Sequence, residues 1–125
     1  MIQSSELIIN ADGSIFHLHL KPEQIADNII LVGDPGRVEL ISKLLTNIEF
    51  VVHNREFVST TGIFNNQRIT IVSTGIGTDN IDIVVNELDA LANINLTTRE
   101  INLVHRKLNF IRIGTSGGLQ EYLAV

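Results

Sequence analysis

The sequence predicts an α/β domain in which strands of a buried sheet alternate with helices. Three apolar segments each run into a glycine-containing turn, near Gly33, Gly75 and Gly114. After the first two turns, the apolar residues recur at helical spacing. The apolar content is 44% and consists mostly of Ile, Leu and Val, which is typical of buried parallel strands. We therefore expect a sheet with parallel strands and with helices on its faces.

Composition limits the classes of function. With 125 residues, the chain is long enough for a hydrophobic core, and we expect residues 1–125 to form one domain. The net charge of −5 argues against binding to nucleic acid or to a membrane surface. The absence of cysteine excludes disulfides, thiolate metal sites and a cysteine nucleophile. The sequence contains neither a signal peptide nor an apolar run of ~20 residues, so a cytoplasmic location is expected.

The N-terminal region leads into a pair of histidines. Residues 1–14 are polar and irregular, which predicts an arm. Residues 15–20 alternate in polarity, which predicts a short extended segment with His17 and His19 on one face. Such a pair is able to chelate a metal, but no cysteine or close carboxylate completes a site. The pattern instead favours a contact to substrate or plain edge-strand histidines.

The first strand, turn and helix begin at residue 29. Residues 29–32 are apolar and mostly β-branched, as in a buried strand, and residues 33–36 break the chain. A helix after Arg37 would present backbone N–H groups at its N-terminus, where an anion is favoured, and the arginine adds a forked donor. A structural turn with a solvated arginine is the alternative. The glycines fit neither the dinucleotide fingerprint nor the phosphate loop of nucleotide triphosphatases.

A β-hairpin is predicted in the middle of the chain. Residues 48–53, 55–64 and 68–73 have strand character, with Gly62 as a candidate bulge. The two asparagines at residues 65–66 predict a turn between the second and third strands. The third strand runs into the second glycine-containing turn.

The best-defined helix follows that turn. Thr78 or Asp79 is expected to cap its start. Beyond it, residues 93–109 permit two interpretations: a helix with a capping box of Thr97 and Glu100, or an inserted polar loop. Residues 110–113 then predict a strand that ends in the third turn. The apolar stripe of the helix consists of Ile81, Val84, Val85, Leu88, Leu91 and Ala92.

The three turns are expected to converge on one site. Ligands of open α/β sheets bind at the carboxyl ends of the strands, so parallel neighbouring strands would bring the turns together. Arg37 and Arg112 would then flank one anion pocket, with the Thr115 hydroxyl and the Gly33 backbone as further donors.

Arg112 carries particular information because it lies within an apolar strand. A buried arginine has to be paired with a carboxylate or to bind an anion. The anion pocket is the first interpretation, and an internal salt bridge to Glu56 or Glu87 is the alternative.

Five short motifs follow one another in a definite order. They are Ile15-Phe16-His17-Leu18, Gly33-Asp34-Pro35-Gly36-Arg37, Asn54-Arg55-Glu56-Phe57, Ser73-Thr74-Gly75-Ile76-Gly77 and Arg112-Ile113-Gly114-Thr115-Ser116-Gly117. In this order they resemble the nucleoside phosphorylase family, and its uridine phosphorylases most closely. The resemblance implies a phosphorylase-like α/β fold in three layers, with a mixed, mostly parallel sheet flanked by helices and truncated at about half.

The resemblance implies a phosphate site that two subunits build. The Gly33 backbone, Arg37, Arg112 and Thr115 would hold phosphate within one subunit. Arg55 would complete the phosphate site of a neighbouring subunit.

The resemblance also implies a nucleoside site across the same interface. His17 would reach into the neighbouring subunit and contact the ribose 5′-hydroxyl. Thr115, Ser116 and Gly117 would line the ribose and base side. A homo-oligomer is therefore expected, as a dimer or a trimer of dimers.

A monovalent cation between subunits is a further implication of the resemblance. Glu56 and Ile76 correspond to positions that hold such an ion, with potassium as the candidate, in some uridine phosphorylases. The third position of that set is commonly Ser, whereas Asn80 occupies it here. The resemblance implies no other cofactor, and phosphate is the co-substrate.

The implied activity is that of a pentosyltransferase. Phosphate would cleave the N-glycosidic bond of a nucleoside, uridine by resemblance, and would give ribose 1-phosphate and the free base. Because phosphate is itself the nucleophile, no side chain is expected to act as a catalytic nucleophile or base. Arginines and backbone donors suit the remaining task, which is to hold the dianion and stabilise the developing charges.

The resemblance covers only the first part of the family's fold. Regions that bind the nucleobase and the ribose hydroxyls have no counterpart here, so we expect the 125-residue chain to be inactive alone and to leave a sheet edge uncovered. The alternatives are a non-catalytic half-module that binds phosphate or nucleotide, a purine nucleoside phosphorylase, and a nucleosidase of the same superfamily. Water needs no arginine clamp, so Arg37, Arg55 and Arg112 argue against the nucleosidase.

Overall fold

The computed structural model describes residues 1–123 and contains a five-stranded mixed sheet. A 3₁₀ turn, Pro22–Gln24, precedes the first strand. No helix among the described residues is long and apolar enough to cross a membrane. The elements in chain order are β1 (Asn28–Val32), α1 (Pro35–Ser42), β2 (Ile48–Asn54), β3 (Phe57–Phe64), β4 (Gln67–Ser73), α2 (Thr78–Asn93), β5 (Ile94–Asn95), β6 (Glu100–Ile101) and β7 (Asn109–Arg112).

The sheet has the strand order β2–β3–β4–β1–β7. Strand β1 lies between β4 and β7 and runs parallel to both. Strands β2, β3 and β4 form an antiparallel meander on the other side. The carboxyl ends of β4, β1 and β7 therefore lie at the same end of the sheet. The predicted mixed sheet with parallel strands is confirmed.

Each face of the sheet is covered by one helix. Alternate residues of a strand point to opposite faces. In β1, Ile30 and Val32 pack in the α1 core, whereas Ile29 and Leu31 pack in the α2 core. Complete burial of each such side chain stabilises the fold by roughly 1.5–3 kcal/mol. The three-layer architecture is thereby confirmed.

The N-terminal segment packs against the α2 core. It is irregular, as predicted, but it does not stand off the domain as an arm. Leu7 is only 8% exposed and belongs to that core. Ile9 forms an antiparallel β-bridge with Ile15, which ties the segment to the chain that follows it.

The segment with the two histidines is a closed turn, so the predicted extended conformation is wrong. The Ile15 amide donates to the Leu20 carbonyl at 2.9 Å. Ile15, Leu18 and Leu20 all enter the α2 core. An extended chain would point Ile15 away from the other two, so the chain has to bend. His19 becomes exposed at a φ of 53°, while His17 stays half-buried against Glu87.

The β3–β4 hairpin turns at Asn65 and Asn66, whose φ angles are 46° and 61°. Positive φ at both central residues identifies a type I′ turn, so the predicted hairpin is confirmed. A bulge lies opposite Gly62, but the extra residue is in β2, between Ile48 and Phe50. Gly62 instead permits close approach, because a Cβ there would lie 2.8 Å from a backbone carbonyl oxygen.

Helix α2 begins without a side-chain cap. Its N-cap residue is Gly77, at a φ of 100°, and no side chain accepts from the first turn. The prediction that Thr78 or Asp79 caps the helix is therefore wrong. Glycine reaches this backbone conformation without strain, so the helix begins at Thr78 itself.

The region beyond α2 is a hairpin followed by an irregular segment. Strands β5 and β6 pair antiparallel, and the chain then runs without helix to β7. The Asn95 side chain accepts from the amides of Thr97 and Thr98 at 2.9 and 3.1 Å, which fixes a turn there. The polar-loop interpretation is confirmed, and the capping-box helix is wrong.

Candidate functional site

Backbone hydrogen bonds bring the three glycine-containing turns together. The Thr74 amide donates to the Val32 carbonyl at 2.8 Å, and the Gly75 amide donates to the Gly33 carbonyl at 2.9 Å. On the other side of β1, the Ile113 amide donates to a carbonyl of β1 at 2.9 Å. The ladder thus continues past the strand ends, and the predicted convergence is confirmed.

An open cavity of about 720 Å³ lies at the carboxyl ends of β4, β1 and β7. Ser116 and Gly117, predicted for the nucleoside, are exposed and do not line it. Residues predicted for phosphate or for the cation that do line it are Gly33, Arg37, Glu56, Ile76, Arg112 and Thr115.

Two arginines reach this cavity from different elements. Arg37 extends from the first turn of α1, and its guanidinium donates to the Ile113 carbonyl at 3.3 Å, just beyond β7. The Arg112 guanidinium lies 3.8 Å from the point that a Cβ of Gly33 would occupy. Arg37 thus connects the first turn with the third, and the two guanidinium groups border one concave surface.

Arg112 is exposed, which corrects the prediction of a buried arginine. Strand β7 lies at the edge of the sheet, and all its residues are exposed. In the described part of the chain, Glu56 is bonded to Asn80 and Glu87 to His17, and neither forms a salt bridge with Arg112. The internal salt-bridge alternative is wrong. The guanidinium borders the cavity with its N–H groups available to an anion.

The N-terminus of α1 is capped by the chain itself. The Asp34 carboxylate accepts from the Gly36 amide at 2.9 Å, and the Asp34 carbonyl accepts from the Arg37 amide at 3.0 Å. An anion at this helix end would meet the Asp34 carboxylate. The sequence predicted open N–H groups there, but the first of them is bonded to Asp34, and the cationic donors that border the cavity are the guanidinium groups of Arg37 and Arg112.

Glu56 ties the second turn to the β2–β3 hairpin. Its Oε1 accepts from Asn80 Nδ2 at 3.0 Å, and its carbonyl accepts from the Ser73 hydroxyl at 2.6 Å. Gly75, at a φ of +69°, lies against this contact. A Cβ on Gly75 would come within 2.8 Å of both Asn80 Nδ2 and Glu56 Cγ. Glycine is therefore required at this point of the turn.

A monovalent cation does not fit the second turn as it stands. The Asn80 N–H points at the Glu56 carboxylate, and an N–H donor offers no lone pair to a cation. Within residues 1–123, no group of three His, Cys, Asp or Glu side chains could hold a metal ion. An ion between Glu56 and Ile76 would require the Asn80–Glu56 hydrogen bond to open.

His17 and Arg55 lie in a second cluster outside the cavity. We call Phe16, His17, Asn54 and Arg55 the His17 cluster. Asn54 Nδ2 donates to the His17 carbonyl at 2.7 Å, and Arg55 Cζ lies 6.0 Å from the centre of the Phe16 ring. The two residues expected to serve a neighbouring subunit are thus held side by side, away from the cavity of their own subunit.

Glu87 on α2 contacts the His17 cluster, whereas the sequence suggested it only as a salt-bridge partner of Arg112. Its carboxylate accepts from the amides of His17 and Leu18 and lies 2.7 Å from His17 Nδ1. The available signal was its position, one helical turn from both Val84 and Leu91 of the buried stripe. A carboxylate at the margin of a buried face needs donors, but only the fold shows which ones.

The family model of the phosphorylase superfamily matches residues 27–125. The chain belongs to that superfamily. Superfamily relatives include uridine phosphorylases of Haemophilus influenzae (40% identity over 113 residues) and Treponema pallidum (38% over 105 residues). These matches cover 89% and 84% of the chain but only 39% and 35% of the relatives. A DeoD-type purine nucleoside phosphorylase of Roseobacter denitrificans is 32% identical over 110 residues, which cover 87% of the chain and 42% of the relative.

A solved structure supports the same membership. A Trypanosoma brucei nucleoside phosphorylase with uridine phosphorylase activity superposes with a TM-score of 0.84 at 34% identity. The match covers 94% of this chain and 41% of that one. The resemblance to nucleoside phosphorylases is confirmed, and the chain spans about two fifths of the length of these relatives.

Proposed function

We propose that the protein acts in phosphate-dependent cleavage of the N-glycosidic bond of a nucleoside, with uridine as the preferred substrate. The products would be ribose 1-phosphate and the free base, as expected of a pentosyltransferase in pyrimidine nucleoside salvage. The observation that carries the proposal is the convergence of Arg37, Arg112 and the Gly33 turn on one cavity. A cytoplasmic location belongs to the same proposal.

The chemistry follows from this arrangement of donors. Phosphate held by Arg37 and Arg112 would attack the anomeric carbon while the bond to the base breaks. The sugar then passes through a cation-like state, which the adjacent phosphate stabilises. The protein supplies position and a fixed electrostatic environment, and no side chain has to be activated as a nucleophile.

The second part of the proposal concerns assembly. His17 and Arg55 would complete the site of a neighbouring subunit, where Arg55 meets phosphate and His17 meets the ribose 5′-hydroxyl. Their common location in the His17 cluster, outside the cavity, supports this assignment. A homodimer is then the smallest competent unit, and a trimer of dimers is the larger form.

The 125-residue chain alone is proposed to bind phosphate without catalysis. Among its residues, only His17, Thr115, Ser116 and Gly117 are assigned to the nucleoside. Ser116 and Gly117 do not line the cavity. At Glu56 and Ile76, we propose that the Asn80 amide takes the place of the implied potassium ion in this chain.

A purine nucleoside is the second candidate substrate. The relative from Roseobacter denitrificans, a purine nucleoside phosphorylase, favours it. No residue assigned here distinguishes a pyrimidine from a purine.

Calorimetry with inorganic phosphate tests the anion site. Arg37→Ala and Arg112→Ala should each weaken phosphate binding by about tenfold to a hundredfold, because a hydrogen bond to a charged group is worth about 1.5–3 kcal/mol. Lys107→Ala removes an exposed cation near the opposite end of β7 and should leave the affinity unchanged. An equal loss in the Lys107 variant would contradict a specific site, and no uptake by the unaltered chain would exclude it.

Uridine cleavage with and without phosphate tests the reaction. The purified chain, with its mass verified, should show no cleavage in either condition. Phosphate-dependent cleavage would establish phosphorolysis and contradict the proposed inactivity. Cleavage without phosphate would favour a nucleosidase.

A further inference from the structure

Three nitrogen atoms lie within hydrogen-bond distance of the Glu87 carboxylate on helix α2. Its two carboxylate oxygens accept from the His17 amide at 3.0 and 3.1 Å, and from the Leu18 amide at 2.9 Å. The same carboxylate approaches His17 Nδ1 at 2.7 Å. The Glu87 side chain is 13% exposed and that of His17 is 27% exposed. One carboxylate therefore fixes both the backbone and the ring of His17.

This contact determines which ring nitrogen carries the proton. A carboxylate only accepts hydrogen bonds, so the nitrogen that faces it must be the donor. His17 Nδ1 therefore carries the proton, and the neutral ring has its lone pair on Nε2. No hydrogen bond to Nε2 is made within the described part of the chain.

Two aromatic rings restrict how the imidazole turns. Phe16 meets the His17 ring edge to face at 4.8 Å between centroids, and Phe57 does so at 6.2 Å. Phe57 is 2% exposed and belongs to the α2 core, so it is a fixed wall. Rotation of the imidazole would break the bond to Glu87 and these aromatic contacts together.

We infer that Glu87 is a positioning residue, which presents His17 Nε2 as a hydrogen-bond acceptor to a hydroxyl of the bound sugar. The inference rests on the proposed function, which assigns His17 to the nucleoside. It adds the polarity of the contact: the sugar hydroxyl donates and the histidine accepts. A nucleoside without that hydroxyl should lose the contact, and loss of Glu87 should remove the preference.

A purely structural role for Glu87 makes a different prediction. If the carboxylate only holds the backbone turn at His17 and Leu18, the ring tautomer should not depend on it. Glu87→Gln separates the two roles, because the amide oxygen still accepts from backbone N–H groups. The amide also offers an N–H group to Nδ1, which permits the opposite tautomer. Asp82→Asn is the matched control, since Asp82 is exposed on the same helix and bonds only to Asn86.

Nitrogen-15 NMR of the imidazole rings in the 125-residue chain tests the inference. Spectra are recorded at increasing pH until the ring signals no longer change, so that neutral rings are observed. We expect His17 in the Nδ1–H form, in contrast to the exposed rings of His19, His53 and His105 in the same sample. In Glu87→Gln the His17 signals should move toward those of the exposed rings, while Asp82→Asn leaves them unchanged. An Nε2–H form in the unaltered chain, or unchanged His17 signals in Glu87→Gln, would overturn the inference.

A second arm tests the hydroxyl itself. With phosphate present, at protein concentrations where the chain is a dimer and with nucleoside added until the signals stop moving, uridine should shift the Nε2 signal of His17, and 5′-deoxyuridine should not. Equal shifts with both nucleosides, or none with uridine, would overturn the assignment of Nε2 to the hydroxyl. The tautomer measurement needs no nucleoside and the cleavage assay needs no tautomer, so failure of the inference and failure of the proposed function are separable.

Discussion

The two strand–turn–helix units at the cavity are stabilised by different kinds of contact. Between β1 and α1, the turn is closed by its own residues: Asp34 caps the helix, and Pro35 occupies its first position. Between β4 and α2, two glycines at φ of 69° and 100° make the turn, and no side chain caps the helix. Glu56 of another hairpin holds this second turn through Asn80.

The two turns differ in whether nearby or distant residues of the sequence determine their shape. In the first turn, the cap of the helix needs only residues within a few positions, so the start of α1 is expected to keep its shape when its surroundings change. The second turn depends on residues 24 positions apart, Glu56 and Asn80. The first turn supplies the arginine and backbone donors proposed for phosphate. The second contains the positions at which the resemblance implies a cation, and the Asn80–Glu56 hydrogen bond is found there instead.

The largest expected effect comes from a methyl group added to the second turn, compared with one added to the first. Gly75→Ala should destabilise the protein by about 1–3 kcal/mol, because its positive φ is strained for alanine and its Cβ would clash with Glu56 and Asn80. Gly33→Ala should cost below about 1 kcal/mol, since its Cβ would lie 3.6 Å or more from its neighbours. Urea unfolding of both variants measures the difference.

Phosphate binding of the same pair sharpens this prediction. The Cβ of Gly33→Ala would point toward the Arg112 guanidinium at 3.8 Å and should weaken phosphate binding. Equal stability losses at the two glycines would show that the second turn is no more tightly constrained than the first.

Removal of the cap is the next largest effect. Asp34→Ala should destabilise the protein by about 1 kcal/mol, the ordinary value of an N-cap, because the Gly36 amide loses its acceptor. It should also strengthen phosphate binding, since a carboxylate that lines the cavity disappears. Thermal unfolding and calorimetry give the two values. Asp34→Asn is the control, as it keeps a cap and removes only the charge; weaker phosphate binding in both variants would contradict the electrostatic argument.

The sequence predicts the first unit better than the second for the same reason. The strand at residues 29–32, the break at Gly33 and the helix after it are each encoded by adjacent residues. The predicted caps of α2 are wrong because the start of that helix depends on the backbone freedom of Gly77. The closed turn around His17 was not predictable either, since it exists to bring side chains into a core that distant elements build.

In the candidate site too, some features follow from local sequence patterns, and others depend on residues far apart in the chain. The convergence of three turns follows from the strand pattern and from the rule for parallel sheets. The exposure of Arg112 does not, because the apolar residues around it suggest burial, whereas β7 lies at the edge of the sheet. The pairing of Glu87 with His17 joins residues 70 positions apart, and no local pattern specifies it.

The smallest expected effect tests whether the Asn80 amide takes the place of a cation. In the unaltered protein, exchange of potassium chloride for choline chloride at equal ionic strength should leave the unfolding temperature unchanged. Asn80→Ser removes the N–H donor from Glu56 and supplies a hydroxyl oxygen, which is a suitable ligand for a monovalent ion. At a potassium concentration equal to its dissociation constant, binding would stabilise the variant by only about 0.4 kcal/mol, so full titrations are needed. Asn86→Ser, on the same helix and bonded only to Asp82, is the control that should not respond. If the unaltered protein responds to potassium as strongly as Asn80→Ser, the hydrogen bond opens readily and the second turn is a cation site already.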